Sequence, residues 1–599
     1  MKKFYLLFLT ILFVIPFKVL ACSKALVDIT NMNIYEIQTA IDNGYLTYEE
    51  LTRLYLERIE NYDKDYNTII TLNNNAIEEA KKCDAIYKEK GRDSLLFGIP
   101  ILVKDNIDVY GMPTTNGTKT LLDSFPKEDS EAIKLLKEKG VIVLGKTNMS
   151  EFAFYASSSK SSFGTTSNAY NKEYSSYGSS GGSAVAVALS FAQVALGTDT
   201  AASVRTPASA NNVIGIRPTF NTISSKGVIL YDMTRDTIGV FSRNTYDNML
   251  FLAVLQEKNE EYYTKLINNK KKHTILVIND FYKGYSNGYN ETSKTDNKIV
   301  ELMDSVLKKL DSNNIEVKYI DNFYKYPYNT YDYLTTNGKY MCTCFNEYIK
   351  GTTSNIGSLL ELEEDKGHIN TISNYLAECG DIYTNNLYEY DKEVKDDYIE
   401  YIKGILNKYD ADFLVYPTTK NLLIKNGDST GSFITNSSTI APVAGVPSIN
   451  LSLGSIEGLY YGMEVVALKN EEYMLYSFAS LYEQINHTYK LPDEVPPLYE
   501  TYEEVNKLSN LYNIIQTKNI IDKTQVLKQD EYKVAIDNIK DFFDNYNLLD
   551  EDEIITKAQT LYNEYIKSVK NVSFSTIYYC IANLTLLFIL IILVKKKES

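Results

Sequence analysis

Gly98-Ile-Pro-Ile-Leu-Val-Lys-Asp-Asn106, followed after an amphipathic stretch from Ser130 to Lys139 by Val141-Ile-Val-Leu144, is the part of the chain whose reading decides the fold. Two short apolar runs bounded by turn residues read as buried strands, and the helical spacing between them reads as a crossover helix. Strand, helix, strand is the repeating unit of an α/β sheet domain. Upstream, the segment from Ile34 to Ala80 spaces Leu51, Leu54, Leu56 and Ile59 among charged residues and predicts a pair of covering helices. Downstream, Ser157 to Ser183 is dominated by Ser, Gly, Thr and Asn, a composition that commonly marks a linker. Here the small residues run straight into Ala184-Val-Ala-Val-Ala188, lean enough for a closely packed helix, so a packed element is expected. Residues 301–405 read as mostly polar, Tyr-rich helix. Ala411-Asp-Phe-Leu-Val-Tyr-Pro417 and Val446-Pro-Ser-Ile-Asn-Leu-Ser452 then return as buried strands, which complete the sheet late.

With 44% hydrophobic and 23% charged residues, the 599-residue chain has the balance of a folded globular body. Its net charge of −16, with no basic stripe in the central region, repels phosphate backbones and argues against nucleic acid as a partner. At the N-terminus Lys2 and Lys3 precede an apolar stretch from Phe4 to Phe17 and a small residue, Ala21, before Cys22. This is the pattern of a secretory signal peptide, with lipidation of Cys22 left open. Near the other end, Ile577 to Val594 is apolar and long enough to cross a bilayer, and Lys595, Lys596 and Lys597 follow it. A transmembrane helix is expected there, with a cytoplasmic tail and with the body lumenal or extracellular. In a eukaryotic cell Lys596-Lys597-Glu598-Ser599 would also resemble an endoplasmic reticulum retrieval signal. Of the six Cys, Cys83, Cys342, Cys344 and Cys379 fall in the exported body and are candidates for disulfides. Cys342-Thr-Cys344 is too tight for a zinc knuckle and the chain has only three His, so no metal site is expected.

A serine becomes a nucleophile only beside a base, most often His. None of His273, His368 and His487 lies in the Gly- and Ser-rich segment where backbone can approach a substrate, which disfavours a Ser-His-Asp triad. A lysine serves as base when burial suppresses its charge. Lys104 ends the apolar run from Ile99 to Val103 and is positioned to point inward from a strand end, although an exposed terminal lysine is the ordinary outcome for such a residue.

Taken together, Gly98 to Asn106, Gly145-Lys-Thr-Asn-Met-Ser-Glu-Phe152, Gly178-Ser-Ser-Gly-Gly-Ser183, Leu196-Gly-Thr-Asp-Thr200 and Gly215-Ile-Arg-Pro-Thr219 resemble the amidase signature family in order and spacing. The resemblance runs from roughly Ile34 to Pro492 and includes Val415-Tyr-Pro-Thr418 and Ala444-Gly-Val-Pro-Ser448; the N-terminal half is most similar to peptide-amidase-like members. It implies an α/β fold with a large central mixed, twisted sheet covered by helices on both faces. It also implies a catalytic triad of Ser203 as nucleophile, Ser179 after a cis peptide bond as proton shuttle, and Lys104 as base. Backbone N–H groups from Thr200, Ala201, Ala202 and Ser203 would form the oxyanion hole, with Ser180, Asp199 and Arg205 in support. No cofactor is implied. The expected organisation is a signal peptide at 1–21, an amidase signature domain at 22–490, a helical stalk or small bundle at 491–572, a transmembrane helix at 573–594 and a tail at 595–599.

One departure stands out. Where the family usually has Gly-Gly before the nucleophile, this chain has Ala201-Ala202, and a methyl there would misalign the donors if the backbone needed a glycine-only conformation. The expected activity is therefore hydrolysis of small carboxamides or peptide C-terminal amides. The alternatives are a catalytically weakened relative with a binding or surface role, and a transamidase component that converts misacylated glutamyl-tRNA, which the acidic charge disfavours. The expected partners are the amide substrate and the membrane through the C-terminal helix. Residues 301–405 are expected to shape the acyl pocket, while the particular amide, the disulfide pairing and the oligomeric state are not legible.

Overall fold

The computed structural model describes residues 29–44, 46–267, 272–283, 294–323, 340–365, 367–369, 387–428 and 433–496. The chain divides into two compact units, one of Met1–Thr47 with Pro497–Ser599 and one of Tyr48–Pro496. In the first, helix Ile34–Asp42 opens on a capping box: the Glu36 N–H donates to the Asn33 side chain and the Asn33 N–H to the Glu36 carboxylate.

The second unit is organised by strands β1 (Ile69–Leu72), β2 (Pro100–Lys104), β3 (Ile142–Thr147), β4 (Lys160–Ser161), β5 (Gly164–Thr165), β6 (Val194–Asp199), β7 (Ile214–Arg217), β8 (Thr237–Ser242), β9 (Thr274–Ile278), β10 (Glu316–Ile320), β11 (Phe413–Pro417), β12 (Ser448–Ile456) and β13 (Leu459–Val466). Eleven of them form one mixed sheet in the order β1-β3-β2-β6-β8-β7-β12-β13-β11-β9-β10, and β4 pairs with β5 apart from it. The opening stretch behaves as its pattern predicts. β2 and β3 lie parallel, joined through helix Glu131–Glu138, and every residue of both strands is buried. β6 joins β2 in parallel while β8 and β7 continue antiparallel, so the sheet is mixed. Helix Gly181–Ala188 is buried along its whole length, and its run of Gly, Ala, Ser and Val lets neighbouring backbone approach closely. Towards the β10 edge, helix Leu387–Tyr409 lays Val394, Tyr398, Ile402 and Leu406 against Leu276, Leu414 and Val466.

Several expectations need correction. The expected transmembrane helix does not stand as part of this fold, because among the described residues no helix is long and apolar enough to cross a membrane. Helix Leu387–Tyr409, long enough by length alone, interleaves charged residues with its apolar stripe and so does not qualify. The runs at 1–21, 497–572, 573–594 and 595–599 lie outside the described residues. The segment from Ile34 to Ala80 is not only helix, since β1 lies between helices Tyr48–Tyr62 and Ala76–Lys90; its half-exposed residues at a sheet edge left no alternating signal. Residues 301–405 likewise contain β10, an edge strand in which only Ile320 is buried. Cys342 is disulfide-bonded, whereas Cys83 and Cys344 are free.

Gly98, which begins the decisive stretch, has φ +71°, and a Cβ there would stand 2.1 Å from the Tyr48 ring. Gly98→Ala combines left-handed strain with a clash against a buried aromatic, so it should lower unfolding free energy by about 2–4 kcal/mol. Urea denaturation measures this; a midpoint equal to wild type would show that the turn before β2 is not fixed in this way.

Candidate active site

Lys104 is the last residue of β2, and the pairing of Val103 with Leu196 sets it beside the end of β6. Its side chain is wholly buried, and Nζ donates to Ser179 Oγ at 2.7 Å and to Thr198 Oγ1 at 2.8 Å. Burial lowers the ammonium from its usual range to about 7, against the opposing pull of Asp236 and Asp199. Near neutrality this amine therefore exists in both protonation states. Thr198, which also accepts Asn106 Nδ2 at 3.1 Å, is a partner that sequence reasoning missed. No local pattern singles it out, because only the pairing of β2 with β6 brings the two strand ends together.

The Ser-rich segment is packed core and not linker. The Gly178–Ser179 peptide bond is cis, and Ser179 and Ser180 are fully buried. Ser150 N–H donates to the Ser179 carbonyl at 2.9 Å. Ser159 Oγ donates to the Tyr177 carbonyl at 2.9 Å and accepts the Gly181 N–H at 2.8 Å. Gly182 follows because a Cβ there would meet the Asn148 carbonyl at 2.3 Å. Ser180 joins the pieces: its N–H donates to the Ser203 carbonyl at 3.2 Å, and its Oγ to the Thr198 carbonyl at 3.2 Å. The segment carrying Ser179 and the segment carrying Ser203 are thus tied together beside Lys104.

Between β6 and helix Arg205–Ala210, residues 200–203 make a tight turn. Neither Ala201 nor Ala202 has a positive φ, so the two methyls impose no glycine-only strain. Among the described residues no backbone acceptor takes the N–H groups of Ala201, Ala202 or Ser203, which leaves them as donors for a ligand oxygen. The turn is held from behind. Arg205 Nε and Nη2 fork onto Asp199 at 3.1 and 2.9 Å, Nη2 also caps the Ala201 carbonyl at 2.6 Å, and Nη1 reaches the Ser437 carbonyl at 2.7 Å and the Glu464 carboxylate. Asp199 additionally accepts the Val204 N–H at 3.0 Å and Arg217 Nη1 at 3.0 Å. Burial alone would raise the Asp199 carboxyl, but Arg205 and Arg217 outweigh it and hold the group well below the usual carboxylate range.

The structure therefore brings Lys104, Ser179, Ser180, Asp199, Thr200, Ala201, Ala202, Ser203 and Arg205 to one end of the sheet. The histidines lie elsewhere. His273 Nε2 is 3.0 Å from Ser477 Oγ, yet its Nδ1 is 3.7 Å from Asp412, beyond hydrogen-bond reach, so the three do not form a Ser-His-Asp relay. His368 lies near the Glu363 carbonyl, at 3.3 Å. Among the described residues no cluster of His, Cys, Asp and Glu is arranged to hold a metal.

A family model described as Amidase matches residues 50–476. The chain is 30% identical over 496 residues to one component of the glutamyl-tRNA(Gln) amidotransferase of Clostridium botulinum, across 78% of this chain and 99% of that one. The native peptide amidase of Stenotrophomonas maltophilia superposes with a TM-score of 0.69 at 26% identity, over 77% of this chain and 98% of that one. An amidase family protein of Bacillus anthracis gives a TM-score of 0.66 at 28% identity, over 77% of this chain and 92% of that one.

Removing Arg205 leaves the Glu464 carboxylate buried without its cation and deprives Asp199 of one of two. Arg205→Leu should therefore destabilise the protein by about 3–5 kcal/mol, with Arg205→Lys in between because it keeps the charge but loses the fork. Urea midpoints at neutral pH check the order. Equal stability of wild type and Arg205→Leu would mean that these buried charges do not hold the turn.

Proposed function

Because this chain belongs to the amidase signature family, whose members act on C–N bonds, we propose that it hydrolyses carboxamides, small ones or those at peptide C-termini, through Ser203, Ser179 and Lys104. The observation that carries the reading is the fully buried Lys104 amine, brought to about 7 and set 2.7 Å from the Ser179 hydroxyl. As Ser203 Oγ attacks the carbonyl carbon, its proton passes to Ser179, and the Ser179 proton passes to neutral Lys104. The tetrahedral oxyanion lies against the N–H groups of Ala201, Ala202 and Ser203, each worth a few kcal/mol. Protonated Lys104 then returns a proton through Ser179 to the leaving nitrogen, and the C–N bond breaks to leave an acyl-enzyme. Water repeats the sequence from the other side and releases the acid.

The alanines favour an active enzyme over a weakened relative, since negative φ at both positions keeps the donors free; the cost of the methyls is narrower space beside the carbonyl. Part of the 301–405 segment supports an apolar wall. Helices Met341–Tyr348 and Leu359–Glu364 place Phe345, Leu359 and Leu362 in one cluster with Phe152 and Ile229. The similarity to a glutamyl-tRNA(Gln) amidotransferase component favours a second reading, in which the amide nitrogen is handed to an acceptor in place of release; the net charge of −16 works against an RNA-borne one.

Ser203→Ala should abolish turnover of a small primary amide, and a fluorophosphonate should label the wild-type chain at Ser203 in a peptide map. Lys104→Ala and Ser179→Ala should each lose several orders of magnitude, with the double variant no worse than the poorer single one. Since the neutral amine is the active form, kcat/KM should rise with pH through about 7. Near-wild-type turnover in Ser203→Ala, or additive free-energy losses in the double variant, would dismiss this mechanism.

A further inference from the structure

Asp236 lies immediately before β8. The antiparallel register pairs Asp199 with Thr237, so the next step outward sets Asp236 across from Thr200, where the oxyanion turn begins. The side chain is buried, 7% exposed, and Oδ2 accepts the N–H groups of Tyr231 at 2.6 Å and Asp232 at 3.2 Å. Oδ1 is also buried and accepts no well-formed hydrogen bond, and the Thr200 side chain lies near the carboxylate. An asparagine would serve the two backbone donors equally well through its carbonyl. What the carboxylate adds is a second acceptor oxygen near Thr200 and a negative charge in a low-dielectric setting.

We infer that Asp236 is a positioning residue for amide hydrolysis: it anchors the Thr200 end of the oxyanion turn to segment 231–232 and places one negative charge near the Lys104 amine. The inference rests on the proposed reading of Ser203, Ser179 and Lys104. In that mechanism Lys104 gains a proton as Ser203 is deprotonated, and the Asp236 carboxylate favours the ammonium that forms. The charged groups acting on Lys104 are Asp236 and, from β6, Asp199. Those around Asp236 are Asp232 on its own segment, Lys104 on β2 and Arg217 on β7, with the un-ionised Cys344 thiol on helix Met341–Tyr348 also sensing its charge. Burial, followed by Asp232, pushes the Asp236 carboxyl up to about 6, so it is largely ionised at the pH where Lys104 loses its proton.

The test is the pH profile of kcat/KM for full-length wild type and Asp236→Asn on one primary amide. Loss of the carboxylate removes a charge that favours the ammonium. The acid limb of Asp236→Asn should therefore move to lower pH by about half a unit or more. Plateau kcat should fall about tenfold, with KM within about twofold, because the ammonium and the turn lose support in the transition state. A lower kcat with the limb unmoved would mark Asp236 as merely structural and overturn the inference, as would an unchanged profile. Should Asp236→Asn fail to fold by circular dichroism, Thr200→Val removes the nearby hydroxyl and keeps the charge; it should lower kcat with the limb in place, and wild-type kcat in that variant overturns the inference. A wild type that hydrolyses no carboxamide would refute the underlying reading itself, a failure separate from that of Asp236 alone.

Discussion

The buried knot of Asp199, Arg205, Arg217 and Glu464 is the interaction on which the rest of the site depends. Four charges with no solvent exposure are joined by hydrogen bonds, in an environment where any unpaired member would be costly. Such a knot is poor evidence for net stability, because apolar groups of equal volume often fold as well. Its value here is directional. Arg205 holds the Ala201 carbonyl at 2.6 Å, and a peptide unit whose oxygen is captured from behind has its following N–H turned the other way. The same guanidinium reaches β6, β13 and the Ser437 segment, so the turn takes its position from the sheet and not from its own short sequence.

Lys104 imposes the opposite bargain. A lysine whose amine falls from 10.5 when exposed to about 7 when buried binds fewer protons folded than unfolded across that interval. Its burial therefore opposes folding most strongly below about pH 7, and the penalty fades as pH rises towards 10.5. The magnitude, on the order of 5 kcal/mol, is comparable with the whole net stability of many domains. Hydrogen bonds to Ser179 and Thr198 offset part of it, and the surrounding apolar strands must supply the rest.

How much of this could be read in advance follows from where each signal resides. Continuous apolar runs disclosed β2, β3, β11 and the start of β12, because interior strands are buried on both faces. β1 and β10 stayed hidden since edge strands with exposed residues lack that signature. The order of motifs pointed to Lys104, Ser179 and Ser203, whereas composition alone would have made the Ser-rich segment a linker. Thr198 and Asp236 were missed for different reasons. Thr198 is one of many threonines until the β2–β6 register is known, and Asp236 acquires meaning only once the β6–β8 pairing sets it opposite Thr200. Likewise, no local pattern in the sequence tells whether Ala201 and Ala202 sit at negative φ. The apolar run near the C-terminus shows a different limit, since length and hydropathy describe a segment and not the fold built from the described residues.

The sheet order carries a consequence for biogenesis. β12 and β13 sit between β7 and β11, yet they are the last strands among the described residues. While a ribosome is still short of residue 448, Lys104, Ser179 and Ser203 have all been made, but β7 and β11 each present an open edge where a neighbour belongs. Glu464, one of the two acids on Arg205, is also missing at that stage. A nascent or truncated chain that stops there is therefore adhesive, with two unsatisfied backbone rows available to other chains. Arrival of a single late hairpin zips the two halves of the sheet together and supplies the missing counter-charge in the same event.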